Sequence, residues 1–430
     1  MLASLMAAFR IPDLKKRITF LFAMFAVYVI GLHISVPGVN TEILAAKLGG
    51  DNSLFNLFDA FTGGAFKKYT IFAMGIMPYI NASIIMQLLT IAIPQLEALQ
   101  KEGASGQKKI RLYTRWLTGV LALFQAYGTT MLLRSYGAIS GTGTLFDPHV
   151  LQIAIVLVAG TSFLMYLGEQ ISDRGIGNGV SIVIFTGIVA YLPSQIGMTI
   201  HVEGIANGRW FVLAVLGVLF VATVAFVVAI TQAQRKIPIQ HVKRIVGNKM
   251  VGGSSSFLPL KINSAGVIPI IFAVSIMYFP MTVVSLLKPG STEGFWYNLA
   301  LGVQPGATWW GSLSYAVLII FFTYFYTAVT FNVKEVSDNL KKWGSFVPGI
   351  RPGKPTQDYL DRIMTRITLA GAVFLAIIAL MQYLIPQWLR VTTFSLIGGT
   401  SLLIVVGVAL ETMQAIESHL LMRHYEGFIK

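Results

Sequence analysis

Residues 210–234 read WFVLAVLGVLFVATVAFVVAITQAQ, without one Asp, Glu, Lys or Arg. About 20 apolar residues in a helix span the hydrocarbon core of a bilayer, so this stretch reads as a transmembrane helix. Nine further stretches are equally bare of charge, at roughly 18–36, 70–93, 116–133, 150–168, 178–200, 263–287, 308–331, 367–389 and 394–410. The chain is 55% hydrophobic and 12% charged, against about 25% charged in soluble domains. It reads as an all-α polytopic membrane protein with ten transmembrane helices.

The net charge of +14 would suit a nucleic-acid binder, but its distribution is topological. Positive residues keep the flanks of a membrane segment in the cytoplasm. With the N-terminus inside, the inner segments hold 25 of the 32 Lys and Arg residues and the outer loops hold 7. Both termini are expected on the cytoplasmic side. No Ala-x-Ala cleavage site flanks the first span, which reads as a retained helix. The absence of cysteine excludes disulfides, thiol chemistry and Cys-ligated metals.

Ten spans divide into an N-terminal half, 1–200 with spans 1–5, and a C-terminal half opening with span 6 in 201–234. A basic connection at 235–262 follows, then spans 7–8 in 263–331, a second basic connection at 332–366, spans 9–10 in 367–414 and a tail at 415–430. Five spans is an odd number, so halves of one fold would lie inverted in the membrane. The first connection carries Lys243, Arg244 and Lys249 and no acid, with a hairpin pattern around Val246-Gly247-Asn248-Lys249. The second ends in Phe346-Val347-Pro348-Gly349-Ile350-Arg351-Pro352-Gly353, turn formers presenting Arg351. Connections of this length are usually functional; these are either docking sites for an acidic partner or solvated topology loops. The segment 37–69 contains Leu54, Leu57, Phe58 and Phe61 at helical spacing, ended by Gly63-Gly64. It is too short to cross a bilayer and reads as an interfacial helix or one folded back into the membrane domain.

Catalytic patterns are missing: no His-Glu-x-x-His, no Gly-x-Ser-x-Gly and no phosphate-cradling loop. Asp59 stands alone outside the spans and reads as an acid on the surface of a short helix, and His33 reads as an interfacial anchor. An ion-coupled transporter would bury ionisable groups along its path; near neutral pH the spans offer only His33, close to the outer end of the first, so transport must be passive or partner-driven. No metal site or cofactor is expected. The intramembrane polar groups are neutral, and most are interhelical glue. Two spans carry a matching break, Gly75-Ile76-Met77-Pro78 beside Asn81, and Gly266-Val267-Ile268-Pro269 after Asn263.

These residues resemble the SecY family of protein translocase channels over essentially the whole chain. The likeness rests on Phe61 to Ala65, Gly75 to Ile80, Leu167 to Ile171, Arg174 to Gly179, Ala265 to Pro269, Asn339 to Lys342, Phe346 to Gly353 and Gly398 to Ile404. It implies an hourglass pore between the halves, closed at mid-membrane by a ring of Ile76, Ile80, Val180, Ile184, Ile271 and Ile404. Helical periodicity alone would make these ordinary core positions. The same likeness makes 54–64 a plug beneath the ring, with Leu54, Leu57, Phe58, Phe61, Thr62, Gly63 and Gly64. It makes spans 2 and 3 against 7 and 8 a lateral gate carrying Asn81, Gln125 and Asn263. Lys243, Arg244, Lys249 and Arg351 would dock the ribosome and the ATPase SecA. SecE and SecG would be small membrane partners, with a signal sequence and an unfolded polypeptide as substrates in the bacterial cytoplasmic membrane, and lipid receiving apolar segments.

Overall fold

A helix occupies each of the ten charge-free stretches. The computed structural model describes residues 9, 11–41, 43–44, 59, 62–135, 137–139, 147–241, 244–246, 249–251, 255–287, 294–391 and 399–426. In chain order the helices are α1 (Pro12–Gly31), α2 (Met77–Ala92), α3 (Pro94–Lys101), α4 (Ala104–Ser135), α5 (Pro148–Arg174), α6 (Gly179–Thr199), α7 (Trp210–Gln232), α8 (Ile268–Leu287), α9 (Phe295–Gly302), α10 (Trp309–Thr330), α11 (Val333–Lys342), α12 (Lys354–Leu389) and α13 (Thr400–Glu426). Among the described residues six helices are long and apolar enough to cross a membrane, or seven counting α2 with α3. That pair bends by 100° between Ala92 and Pro94.

Local chemistry starts these helices. Proline, which needs no amide partner in the first turn, opens α1, α2, α3, α5 and α12. Side-chain caps open others: Asn178 accepts the Val180 N–H (3.1 Å) at α6 and Thr308 accepts the Gly311 N–H (3.0 Å) at α10. The Gly-x-x-Pro breaks therefore begin helices rather than bend them. Gly75 at φ +56° leads into α2 and Gly266 at φ +63° leads into α8, each with its proline in the first turn. In the second apolar stretch Thr70 forms an isolated bridge with Ser35 and residues 71–76 are turns, not helix.

The halves meet along two seams. On one, α8 packs against α2 and α4; on the other, α13 packs against α6. Within the N-terminal half α4 lies between α2 and α5, and in the C-terminal half α10 lies between α8 and α12. Close approach needs glycine at the α5–α6 turn, where a Cβ on Gly179 would sit 1.8 Å from the Gly168 carbonyl oxygen. This accounts for Gly179 in Arg174-Gly175-Ile176-Gly177-Asn178-Gly179, while Gly177 is needed for its φ of +83°.

The basic connections form one folded unit. Strands β1 (Gln234–His241), β2 (Arg244–Val246), β3 (Lys249–Val251), β4 (Ser255–Lys261) and β5 (Ser345–Phe346) make a sheet of order β4-β1-β5 and a separate β2-β3 hairpin. Ile237↔Leu258 and Ile239↔Ser256 pair on the first seam, and Gln240↔Phe346 joins the second connection to the first. The core beneath holds Ile237, Ile239, Leu260, Leu340, Val347, Leu360 and Met364. Leu360 and Met364 belong to α12, whose helix begins at Lys354, so the second connection is shorter than 332–366.

Candidate functional site: a closed waist between the halves

Three isoleucines from different helices meet between the seams. Ile80 (α2), Ile184 (α6) and Ile271 (α8) line both a small cavity on one side and a large one on the other. The small cavity, bounded also by Thr62, Ile76 and Val274, leaves about 10 Å³ for water centres, near the minimum of roughly 10–15 Å³ that holds one water. The large one offers about 560 Å³. Its wall carries Arg111, Glu169 and Asn178. It is half open, with Tyr79, Ser83 and Gln87 along it. Val180 lies on this vestibule wall above the constriction. Ile404 is fully buried in the surrounding core and borders neither cavity.

The geometry has a plain physical consequence. A lining of stiff aliphatic side chains offers water and ions almost no hydrogen-bond partner. Val274, one helical turn beyond Ile271, completes the lining; spacing i, i+3 on α8 would have found it.

Below the waist the chain is pinned to two helices. The Tyr28 hydroxyl of α1 donates to the Thr62 carbonyl (3.3 Å), and the Thr62 hydroxyl donates to the Asp59 carbonyl (3.2 Å). Gly63, at φ +72°, lies so close to α6 that a Cβ would be 2.8 Å from the Gly187 carbonyl oxygen. Gly64 sits under the Tyr191 ring. Leu54, Leu57, Phe58 and Phe61 lie outside the described residues. Asp59 is no surface acid: its side chain is fully buried. Its Oδ1 accepts the Lys67 N–H at 2.9 Å, its Oδ2 stands 4.0 Å from the Lys67 ammonium, and the Tyr191 phenol is beside it. Tyr28, Gly187 and Tyr191 carry no sequence signal for this contact, since each is one apolar-span residue among many.

The gate candidates are spread out. Asn81 and Gln125 are half-buried, and Asn263 is buried with its Oδ1 unpartnered. No hydrogen bond joins the three side chains among the described residues. Asn263 lines a crevice with Thr231 of α7 and with Gly407 and Glu411 of α13. The α8–α10 contact is aromatic, Phe272 against Phe322 with ring centroids 5.7 Å apart. On the vestibule wall Arg115 of α4 holds Glu169 of α5 through two hydrogen bonds of 2.7 and 2.6 Å.

On the sheet unit Arg351 is exposed, and its backbone is held by the Thr356 hydroxyl donating to its carbonyl (2.8 Å). His241 bridges both connections, with Nδ1 2.7 Å from Ser345 Oγ and Nε2 3.1 Å from Ser256 Oγ. Arg244 and Lys249 begin the strands of the hairpin, Arg244 opposite Val251 and Lys249 opposite Val246. Lys243 lies outside the described residues.

Comparison with known proteins agrees with this architecture. A family model described as SecY matches residues 70–413. The protein translocase subunit SecY of Streptomyces galbus is 44% identical over 442 residues, covering 100% of both chains. A solved SecY structure, described for a plug domain that stabilises the closed translocation channel, superposes with a TM-score of 0.62 at 17% identity, over 94% of this chain and 92% of that one. Sec61 in the canine ribosome–channel complex superposes with a TM-score of 0.57 at 16% identity, over 94% and 92%. Sequence match across the full length, together with a shared multi-pass helical fold, shows that this integral membrane chain belongs to the SecY family.

Proposed function

We propose that the chain is a passive, gated conduit for unfolded polypeptides, and that it passes apolar segments sideways into lipid. The need is physical. Each unsatisfied backbone amide costs several kcal/mol in hydrocarbon, so an extended chain cannot a bilayer unaided. The observation that carries the reading is the waist, where Ile80, Ile184 and Ile271 separate a vestibule of about 560 Å³ from a cavity of about 10 Å³; in this reading the vestibule faces the cytoplasm. Such a ring seals by apolar contact and yields to a passing chain, having no fixed polar bonds to break. The turn through Thr62, Gly63 and Gly64 is the base of a plug under that ring.

The lateral gate is the seam of α8 on α2 and α4. Asn81 and Gln125 contribute at most weak bonds there, roughly 0.6 kcal/mol each and about 1.7 at most in membrane interiors, so the seam parts and recloses. Directional energy comes from outside: the ribosome, or the ATPase SecA, docks on the sheet unit through Arg351 and the hairpin of Lys243, Arg244 and Lys249. The ribosome-bound state of the canine relative supports the first of these. SecE and SecG complete the complex in the cytoplasmic membrane, with both termini of the chain inside.

The chain has no native cysteine, so single cysteines report position cleanly. A precursor arrested during driven translocation should crosslink to Ile184→Cys and Ile271→Cys in the waist, but not to Val218→Cys on the outer face of α7. Export that proceeds with no crosslink at either waist position would refute the conduit. Arg351→Glu should abolish ATPase-driven secretion with the protein still inserted; unaltered secretion removes Arg351 from docking.

A further inference from the structure

The vestibule wall bears little charge, and what it bears is paired. Among the described residues only Arg111 and Glu169 are charged side chains lining it, and both come from the N-terminal half. From the C-terminal half the wall takes Ile268, Ile271, Phe272 and Tyr326. Glu169 is held by Arg115 through two hydrogen bonds, Nε to Oε1 at 2.7 Å and Nη2 to Oε2 at 2.6 Å, so both carboxylate oxygens are engaged. Arg111 stands 3.8 Å from Asp173. Two guanidinium groups against two carboxylates leave this corner without net charge. The Arg115 side chain is 48% exposed, so its charge stays accessible beside the vestibule if Glu169 no longer balances it. The pair is not what joins the two helices, because α4 and α5 already share a buried apolar core of Ala122, Ala126, Ile153 and Leu157.

We infer that Glu169 is a specificity-determining residue of the conduit: by balancing Arg115 it lets acidic and basic stretches of a passing polypeptide through the vestibule alike. This rests on the conduit reading and deepens it, naming the substrate feature to which the wall is made indifferent. An extended chain brings its charged side chains past the wall one after another. In a cleft with low-dielectric walls any uncompensated charge acts strongly on them. Without Glu169 the corner keeps one excess positive charge, which holds passing aspartates and glutamates and repels lysines and arginines. Without Arg115 the sign is reversed. The retention expected is about two- to fivefold, the strength of an exposed ion pair, and added salt should weaken it by screening.

The test uses the full-length chain with its partners in membrane vesicles, driven by the ATPase without a membrane potential. Three precursors differ only in one run of the mature part, made of aspartates, lysines or serines. The transit time of each charged run is read relative to the serine run. With Glu169→Gln the aspartate run should slow about two- to fivefold against the parent channel, and the lysine run should not slow. Arg115→Gln should do the opposite. Combining Glu169→Gln with Arg115→Gln removes the ion pair but restores the balance, so this double variant should treat the runs as the parent does. If the pair only held the helices together, each single variant would slow all three runs alike and the double variant at least as much. That outcome, or single variants that leave the ratios unchanged, overturns the proposal. Precursor crosslinking at Ile184→Cys and Ile271→Cys separates the two failures: unchanged ratios with crosslinking sink the role of Glu169 alone, whereas export without crosslinking sinks the conduit.

Discussion

Gly63→Ala tests the plug seat most directly. The Gly63 backbone lies at φ +72°, a left-handed conformation that costs a residue with a Cβ about 1–2 kcal/mol. The new Cβ would also meet backbone, 2.8 Å from the Gly187 carbonyl oxygen and 2.9 Å from the Gly187 Cα. Neither atom belongs to a flexible side chain, so the turn or α6 must shift, an overpacking cost of about 1–3 kcal/mol. Together these amount to about 2–5 kcal/mol against the closed state. Each 1.4 kcal/mol is a factor of ten, so the balance moves toward the released turn by roughly thirtyfold to a few thousandfold. The assay is ion efflux from proteoliposomes holding the channel without substrate. Gly38→Ala is the control, because Gly38 is at φ +89° with nothing within 4 Å of an added Cβ; it carries the strain without the collision and should leave efflux unchanged. Efflux from Gly63→Ala no greater than from Gly38→Ala would refute the idea that the turn is seated by backbone contact with α6.

Other expectations concern the waist and its supports. Ile184→Asn places an amide between the two cavities and should wet the constriction, raising resting ion conductance many-fold in planar bilayers while the protein still inserts; an unchanged conductance would remove Ile184 from the barrier. Gly179→Ala collides at 1.8 Å with the Gly168 carbonyl oxygen, and thermal unfolding in detergent should show a loss of at least about 3 kcal/mol, at the upper end for overpacking. Glu169→Gln weakens the bidentate bond to Arg115, whose side chains are 14% and 48% exposed. Solvent screening limits the loss to about 1 kcal/mol, read as a small fall in melting temperature.

The membrane architecture was legible along the chain because the signals are local. A charge-free stretch of sufficient length declares an apolar helix wherever it occurs, although each Gly-x-x-Pro, read as a break within a span, proved to be the start of a helix. The hairpin was visible in Val246-Gly247-Asn248-Lys249, which became the Val246↔Lys249 pair. Asp59 was misjudged as a surface acid because nothing near it in sequence foretells burial. Its cover comes in part from α6, through the Tyr191 phenol. Asn263 likewise takes its surroundings from α7 and α13.

That the chain is built from long apolar helices follows from hydration and backbone preference, properties that accumulate residue by residue. Which apolar side chains face the void does not. Ile184 and Ile404 are the same residue type and both lie in charge-free stretches, yet one lines the constriction and the other is buried behind it. A helix that is apolar on every side carries no stripe to specify its rotation. That angle was settled by contacts such as Gly63 on Gly187 and Gly179 on Gly168, where backbones approach only because no side chain intervenes.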